Sequence, residues 1–195
     1  MNLSLTKKEL RAIYKEKRMA LSKDEAFLLS KDIFNRFLAF FQPISGQKVH
    51  IFIPIEKFKE MDTQIFIDYF LEHQIRVFVP KMLGEELISV EIFTSTKFEE
   101  NLWNIVEPVS NEDSGVIDFD FVIAPLLYCD KKGNRVGYGK GFYDGFFETI
   151  SPNTKKIGVN YFNPDVDIDD LWEKDIPLDY LVTPTDVLSF SGASE

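Results

Sequence analysis

Hydrophobic residues recur along the chain with two different spacings, and each spacing predicts one kind of element. Residues 6–20 and 24–41 have the three-to-four-residue spacing of amphipathic helices. A capping-box pattern stands at the start of each: Thr6-x-x-Glu9 and Ser22-x-x-Glu25. Short apolar runs predict strands, and two further helices fall between them: strands at 48–53, 75–79, 87–93, 119–127, 155–160 and 178–182, helices at 63–73 and 142–150.

Two helices followed by strands that alternate with helices predict an α/β domain with a mostly parallel sheet. We expect one domain over residues 1–195, with N-terminal helices at 6–41, an α/β core at 47–183 and a loose tail at 184–195. A chain of 195 residues can bury roughly 70% of its unfolded surface, so a sizeable core is available.

Composition and charge narrow the function classes. The single cysteine excludes an internal disulfide, and the sequence contains neither a membrane-length apolar run nor a signal-peptide core, which predicts a cytoplasmic protein without membrane partners. The net charge of -10 argues against nucleic-acid binding. The charge is uneven, with a net +4 over residues 1–40 and a net -7 over residues 165–186. The cations could therefore serve an anionic ligand, although the acidic segment could equally be a solubilising surface.

Candidate ligand-binding residues are most concentrated at residues 129–144, which join the apolar strand at 119–127 to the helix at 142–150. Arg135 and Lys140 stand among four glycines: Gly133, Gly137, Gly139 and Gly141. A strand, a basic glycine-rich loop and a helix form an arrangement that binds phosphate, because glycine lets backbone N–H groups approach an anion. The spacing fits neither the Rossmann fingerprint nor the P-loop. The structural alternative is a solvated turn with lysines on its surface.

This stretch resembles the signature of the 5-formyltetrahydrofolate cyclo-ligase family, also called 5,10-methenyltetrahydrofolate synthetases. The matching pattern is Asp130-x-x-Gly133-Asn134-Arg135-x-Gly137-x-Gly139-Lys140-Gly141-Phe142-Tyr143-Asp144. The resemblance implies a three-layer α/β/α fold similar to the ribose-5-phosphate and glucosamine-6-phosphate isomerase group. It also implies an ATP-dependent carbon–nitrogen ligase that converts 5-formyltetrahydrofolate to 5,10-methenyltetrahydrofolate, with ADP and phosphate as the other products.

The resemblance also implies which residues bind ATP and Mg²⁺. Lys140 and Arg135 would be catalytic, stabilising charge on the transferred phosphoryl group. Asp144 and Asp175 would bind Mg²⁺. The ATP-binding residues would come from the N-terminal helix and the loop: Lys7, Lys8, Arg11, Arg135, Val136, Gly137, Tyr138, Gly139, Lys140, Gly141, Phe142 and Tyr143.

For the folate, the resemblance points to Glu60, in Glu60-Met61-Asp62-Thr63, and to Trp103. We interpret Asp62 as the N-cap of the helix at 63–73. The predicted folate-binding residues are Ile53, Ile55, Glu60, Trp103, Tyr138, Lys140, Phe142 and Tyr143. Two positions depart from the family pattern. Some relatives have Arg at the place of Tyr138, and Phe142 replaces a frequent Tyr.

Other chemistries remain as alternatives. A sugar-phosphate isomerase of the same fold group would need a carboxylate or histidine base beside the loop and no ATP. A non-catalytic nucleotide-binding module would keep the loop without turnover. The two histidines lack metal-ligand spacing, and Cys129 reads as a structural thiol. No obligate protein partner is implied.

Overall fold

The computed structural model describes residues 4–84, 86–101 and 105–190, in which helices and strands alternate. The helices are α1 Lys7–Ala20, α2 Lys23–Phe41, α3 Gln64–Glu72 and α4 Phe142–Thr149, with a 3-10 turn at Glu56–Phe58. The strands are β1 Ser4–Leu5, β2 Lys48–Ile51, β3 Arg76–Leu83, β4 Glu86–Ile92, β5 Phe98–Glu100, β6 Val106–Pro108, β7 Phe121–Ala124, β8 Tyr128–Cys129, β9 Arg135–Val136, β10 Lys155–Val159, β11 Asp167–Ile168, β12 Tyr180–Val182 and β13 Val187–Ser189. None of the described helices is both long and apolar enough to cross a membrane.

The sheet at the centre is mostly parallel, as predicted. Among the described residues it has seven strands in the order β13-β12-β10-β7-β2-β3-β4. The inner strands pair in parallel, and the two edge strands, β4 and β13, pair antiparallel to their neighbours. The carboxyl ends of β2, β7 and β10 therefore meet at one edge, where sheets of this kind place their ligands.

Helices cover both faces of this sheet. Neighbouring residues of a strand face opposite sides, so Val49 and Ile51 of β2 join the core under α2 and α3. Val122 of β7 and Phe78 of β3 instead pack with Phe146 of α4. The predicted three layers are therefore present, while the closer likeness to the sugar-phosphate isomerase group stays a prediction.

The capping boxes predicted at both N-terminal helices are present. The side chains of Thr6 and Ser22 each accept a hydrogen bond from the backbone N–H of the glutamate three residues later. The carboxylates of these glutamates, Glu9 and Glu25, in turn accept hydrogen bonds from the backbone N–H groups of Thr6 and Ser22.

Asp62 is not the N-cap of α3 as predicted, because that position is held by Thr63, one residue later. The Asp62 Oδ1 still accepts a hydrogen bond from the N–H of Gln64, the first residue of the helix, at 3.0 Å.

The strand predicted at 75–79 does not stop before Pro80, because β3 continues to Leu83. Pro80 lies opposite Ser89 of β4. The backbone N–H and C=O of Ser89 turn away, to Asp113 and Ser114, so this pair exchanges no ladder hydrogen bonds. On the other side, the pairing with β2 ends at Phe78. The missing N–H of Pro80 therefore removes no ladder bond.

Other boundaries also differ from the sequence prediction, and two of these differences have a clear physical reason. The strand expected at 119–127 spans only Phe121–Ala124, because Pro125 follows. The segment expected to be a loose tail from 184 contains β13, which pairs with β12. Phe190, just after β13, is buried against Leu178 and Leu181. Burial of apolar side chains therefore holds this segment on the domain.

Candidate active site

The glycine-rich stretch follows the carboxyl end of β7. It folds first as the antiparallel pair β8 and β9 and then as a loop over residues 137–141 that leads into α4. Its turn is held by the buried carboxylate of Asp130, which accepts hydrogen bonds from the backbone N–H groups of Lys132 at 2.9 Å and Asn134 at 3.0 Å. The Asn134 amide donates a third, at 2.9 Å. A buried carboxylate with three donors fixes the base of the loop.

Gly133 allows this turn to pack closely against the rest of the protein. Its φ is +86°, a left-handed conformation that favours glycine. A Cβ at this position would lie 2.7 Å from the Leu178 carbonyl oxygen and 2.8 Å from the Phe190 ring. The motif glycine at this position is therefore required by packing as well as by backbone conformation.

Arg135 lies under the loop and joins two segments. Its terminal nitrogens donate to Asp144 Oδ1 at 2.7 Å and to the Ile176 carbonyl at 2.6 Å, and its guanidinium lies 4.7 Å from the centroid of the Phe147 ring. The Arg135 side chain is only 6% exposed. Burial lowers the pKa of Arg135, and the charge of Asp144 opposes that shift. Arg135 thus holds the start of α4 against the acidic segment.

Asp175 lies beside this pair and forms an ion pair with Lys7, the first residue of α1. Its Oδ2 accepts hydrogen bonds from the Lys7 ammonium and from the backbone N–H of Trp172. The N–H of Ile176, the next residue, donates to Asp144 Oδ1 at 3.2 Å. The two carboxylates predicted to bind Mg²⁺ are therefore brought together, each paired with a cation.

Mg²⁺ commonly takes one or two protein carboxylates and completes its shell with water and substrate phosphates. Oδ2 of Asp144 and Oδ1 of Asp175 accept no hydrogen bond from the described residues, so each carboxylate keeps a free oxygen. No group of three or more His, Cys, Asp or Glu suited to a metal occurs among the described residues. This pair fits Mg²⁺ that arrives with a nucleotide better than a resident metal.

Arg11 contacts the loop at Gly137 and Gly139. Its Nε donates to the Gly137 carbonyl at 2.9 Å. Its guanidinium lies 3.3 Å from where a Cβ of Gly139 would stand. The terminal nitrogens of Arg11 make no hydrogen bond with the described residues and remain available to an anion.

Tyr138, the next loop residue after Gly137, joins the loop to the segment that contains Glu60. Its hydroxyl donates to Glu60 Oε1 at 2.6 Å and accepts from Arg18 at 3.0 Å. The other oxygen of Glu60 accepts the N–H of Ile55 at 2.7 Å. The ring of Phe58 stacks on that of Tyr138 at 5.3 Å. The predicted phosphate loop and the predicted folate carboxylate thus meet at one tyrosine.

Burial sets the electrostatics of this contact. Burial raises the pKa of Glu60, and the hydrogen bonds from Tyr138 and Ile55 and the charge of Arg18 partly offset that rise. The pKa of Tyr138 is raised by burial and by the charge of Glu60. The Tyr138 hydroxyl therefore stays protonated at neutral pH and acts as a donor.

Tyr143 points inward from the first turn of α4. Its hydroxyl is buried and has no hydrogen-bond partner in the described part of the chain. Burial and the charge of Glu60 raise its pKa, while Arg135 opposes the shift. A buried hydroxyl without a partner in the described residues suits a polar group brought by a ligand or a water.

Lys140 and Phe142 lie on a different side of the loop. Both are exposed and line an open groove of about 880 Å³ between the start of α4, β4 and residues 113–117. Lys140 makes no ion pair with the described residues. Gly141, the N-cap of α4, supplies no side-chain hydrogen bond, so the N–H groups of the first turn are open to an anion.

The remaining predicted residues have different surroundings. Lys8 is exposed on α1. Ile53 packs against the core under α2 and α3. Val136 is fully buried against Leu10 and Tyr14, so its side chain supports the loop. Trp103 lies outside the described residues.

The sequence analysis gives Arg18 no role. A basic stripe recurs at helical spacing along α1, formed by Lys7, Arg11, Lys15 and Arg18, and this stripe is the sequence signal that could have pointed to Arg18. Arg18 is only 3% exposed, unlike an ordinary surface cation.

Comparison with known proteins shows the family to which this chain belongs. The model of the 5-formyltetrahydrofolate cyclo-ligase family matches residues 4–184. The chain belongs to this family. A 5-formyltetrahydrofolate cyclo-ligase of Mycoplasma pneumoniae is 30% identical over 185 residues, which cover 91% of this chain and 98% of that protein. The cyclo-ligase of Mus musculus is 28% identical over 158 residues, which cover 76% of each chain.

Solved structures of the family have the same fold. The NMR structure of 5,10-methenyltetrahydrofolate synthetase from Aquifex aeolicus matches with a TM-score of 0.81 at 28% identity, over 98% of this chain and 96% of that one. A synthetase structure from Mycoplasma pneumoniae matches with a TM-score of 0.71 at 26% identity, over 92% and 99% of the two chains. The resemblance seen in the loop thus extends over almost the whole cyclo-ligase fold, and both the family and the α/β architecture predicted from sequence are confirmed.

Proposed function

We propose that this protein catalyses the ATP- and Mg²⁺-dependent cyclisation of 5-formyltetrahydrofolate to 5,10-methenyltetrahydrofolate. The observation that carries the proposal is the 2.6 Å hydrogen bond between the Tyr138 hydroxyl and Glu60. It ties a loop suited to phosphate to a buried carboxylate suited to a heterocycle with N–H donors. A protein that only bound a nucleotide would not need the buried carboxylate of Glu60 beside the loop.

The reaction requires activation of a poor leaving group. The γ-phosphoryl group of ATP passes to the formyl oxygen and ADP leaves, which converts that oxygen into a phosphate ester. N10 of the folate then attacks the formyl carbon and loses its proton to solvent, the carbon–oxygen bond breaks, and phosphate departs with the former formyl oxygen. Such chemistry depends on positioning and on neutralisation of charge, and needs no nucleophilic side chain.

The residues proposed for the phosphates are those with free donors. Lys140 and the first-turn N–H groups of α4 are open to the anion, and Arg11 offers its terminal nitrogens. Lys140 would stabilise charge on the moving phosphoryl group. Lys7 would add charge from the start of α1. The catalytic role predicted for Arg135 has less support, because both of its terminal nitrogens are already engaged. We assign Arg135 chiefly to holding Asp144.

Asp144 and Asp175 would hold Mg²⁺ through their free oxygens, with ATP phosphates as further ligands. The metal would supply neutralisation of the phosphate charge. Lys7 and Arg135 keep the two carboxylates adjacent and oriented before a nucleotide binds.

Glu60 would bind the N–H edge of the pteridine. Each of its oxygens accepts one hydrogen bond in the protein, and a carboxylate oxygen can accept a second. Ile55 lies at the same carboxylate. Tyr143 would offer its buried hydroxyl, and Phe142 and Trp103 would supply apolar or stacking surface.

The test is a direct assay. Purified protein is mixed with 5-formyltetrahydrofolate, Mg²⁺ and ATP, and the near-ultraviolet absorbance of the methenyl product is followed, with ATP omitted from a parallel sample. We expect the absorbance to grow only with ATP present. If ATP binds and no methenyl product forms, the proposal is wrong and a nucleotide-binding module explains the site better.

A further inference from the structure

Arg18 is a buried cation that forms no ion pair with the described residues. It lies in the last turn of α1 and is 3% exposed. One terminal nitrogen donates to the carbonyl of Leu126, just beyond β7, and the other donates to the Tyr138 hydroxyl at 3.0 Å. Its Nε is buried without a partner in the described part of the chain. A buried cation is costly unless a negative charge lies nearby, and here that charge is Glu60, one hydroxyl away.

The direction of each hydrogen bond in this chain is fixed by chemistry. A guanidinium can only donate, so the Tyr138 oxygen must accept from Arg18. The single hydroxyl hydrogen of Tyr138 is then directed to Glu60 Oε1. On its other side, Glu60 faces the N–H of Ile55, which also can only donate. Both oxygens of Glu60 therefore act as acceptors here, an arrangement that favours the ionised form of the carboxyl group.

We propose that Arg18 is a positioning residue that acts through Tyr138 to keep Glu60 ionised and oriented for the folate substrate. This inference rests on the proposed function, because it takes Glu60 as the group that meets the folate. It adds a role for the second half of α1. Arg11 and Arg18 lie two turns apart on one helix and contact the consecutive loop residues Gly137 and Tyr138. One helix would thereby position both the phosphate loop and the folate carboxylate.

The other groups around Glu60 do not replace Arg18. Tyr161 donates to the backbone carbonyl of Glu60 at 3.1 Å and leaves the carboxylate free. Tyr143, from α4, is a neutral hydroxyl without a partner. Asp62, on the same segment, is an acid and supplies no positive charge. Among the charges acting on Glu60, that of Arg18 lowers its pKa against the effect of burial.

The first experiment compares Arg18→Met with the wild-type protein and with Lys17→Met. Lys17 is the matched control, because it is a neighbouring cation on α1 whose side chain is 47% exposed. We expect Arg18→Met to raise the KM for 5-formyltetrahydrofolate by about 10- to 100-fold, the range for hydrogen bonds that involve a charged group. The KM for ATP should change far less, and Lys17→Met should resemble the wild type.

The pH profile separates this role from a merely structural one. Without Arg18, Glu60 takes up a proton at a higher pH, so kcat/KM for the folate should decline on acidification at a higher pH than in the wild type. Arg18→Lys keeps the positive charge but not the planar guanidinium with its two terminal nitrogens, so it should recover part of the lost kcat/KM for the folate. An unchanged folate KM and pH profile in folded Arg18→Met would overturn the proposal.

A second readout does not depend on turnover. In protein labelled with ¹³C at glutamate carboxyl carbons, the Glu60 signal is assigned by its loss in Glu60→Gln, and its titration is followed without substrate. We expect the Glu60 midpoint to lie at higher pH in Arg18→Met, and also in Tyr138→Phe should Arg18→Met fail to fold. An identical Glu60 titration in wild type and variant would contradict the inference even if the ligase assay itself gave no product. Lack of product with a shifted midpoint would count only against the proposed reaction.

Discussion

Arg135 and Asp144 form a 2.7 Å ion pair in which the cation is buried and the carboxylate is partly exposed, with side-chain exposures of 6% and 29%. The pair fixes the first turn of α4 to the segment at Asp175 and Ile176. This arrangement leaves Oδ2 of Asp144 without a hydrogen bond from the described residues, and our proposal assigns that oxygen to Mg²⁺.

Asp144→Asn tests that assignment. The amide keeps a hydrogen bond to Arg135 and loses the negative charge, so we expect the Mg²⁺ concentration for half-maximal activity to rise by about 10-fold or more. The measurement is a Mg²⁺ titration at saturating ATP and folate. Glu148→Gln, on the exposed side of α4, is the matched control. An unchanged titration in Asp144→Asn would move the metal to other ligands.

Lys140→Ala tests the source of charge for phosphoryl transfer. The ammonium is exposed at the loop and makes no ion pair with the described residues, so removal should leave the fold intact. We expect kcat to fall by roughly 100-fold or more. Lys131→Ala, an exposed lysine in the turn of the same stretch, should keep nearly full activity. Near-normal turnover by folded Lys140→Ala would remove Lys140 from the mechanism.

Gly133→Ala tests whether the loop depends on close packing. The added Cβ would meet the Leu178 carbonyl and the Phe190 ring in addition to adopting a strained φ of +86°. We expect a loss of about 2 kcal/mol or more in the free energy of unfolding, measured by denaturant titration. Gly115→Ala is the control, because φ there is +64° with no atom within 4 Å of the added Cβ. Equal losses in both variants would show that the close packing adds nothing.

His50 should make stability depend on pH. It is buried beneath Phe146 and Phe119, with both ring nitrogens lacking partners in the described part of the chain. Burial lowers the pKa of His50 from 6.5 to about 3. As the pH falls from 6.5 towards 3, only the unfolded chain takes up this proton, so stability is lost at about 1.4 kcal/mol per pH unit.

Denaturant titrations between pH 7 and pH 4 check this expectation. His50→Leu should flatten the decline, whereas His73→Gln, at the exposed end of α3, should retain it. A His50→Leu variant that loses stability on acidification as steeply as the wild type would show that other groups cause the decline.

The sequence predicted best what local chemistry decides. The capping boxes at Thr6 and Ser22 use side chains three residues apart, so they were visible without a fold. The glycine-rich stretch was recognisable because its spacing is long and specific. The family and the position of the loop before α4 followed from this stretch, and the parallel sheet followed from the alternation of strands with helices.

Long-range contacts explain what the sequence did not reveal. The partners of Arg18 lie 108 and 120 residues away, so its burial could not be distinguished from the exposure expected of a basic helix stripe. The strand predicted at 75–79 stops before Pro80. Ser89, the cross-strand neighbour opposite which a proline costs no ladder hydrogen bond, is known only from the pairing of β3 with β4. Arg135 was expected to face phosphate, and its engagement by Asp144 and Ile176 depends on the fold.

The most direct test of the proposed reaction follows the formyl oxygen. 5-Formyltetrahydrofolate labelled with ¹⁸O in the formyl group is incubated with the protein, Mg²⁺ and ATP, and the released phosphate is analysed by mass spectrometry while methenyl product is monitored by absorbance. ATP-driven activation of that oxygen predicts one ¹⁸O atom in each phosphate released with product. Methenyl product accompanied by unlabelled phosphate, or no product at all, would contradict it.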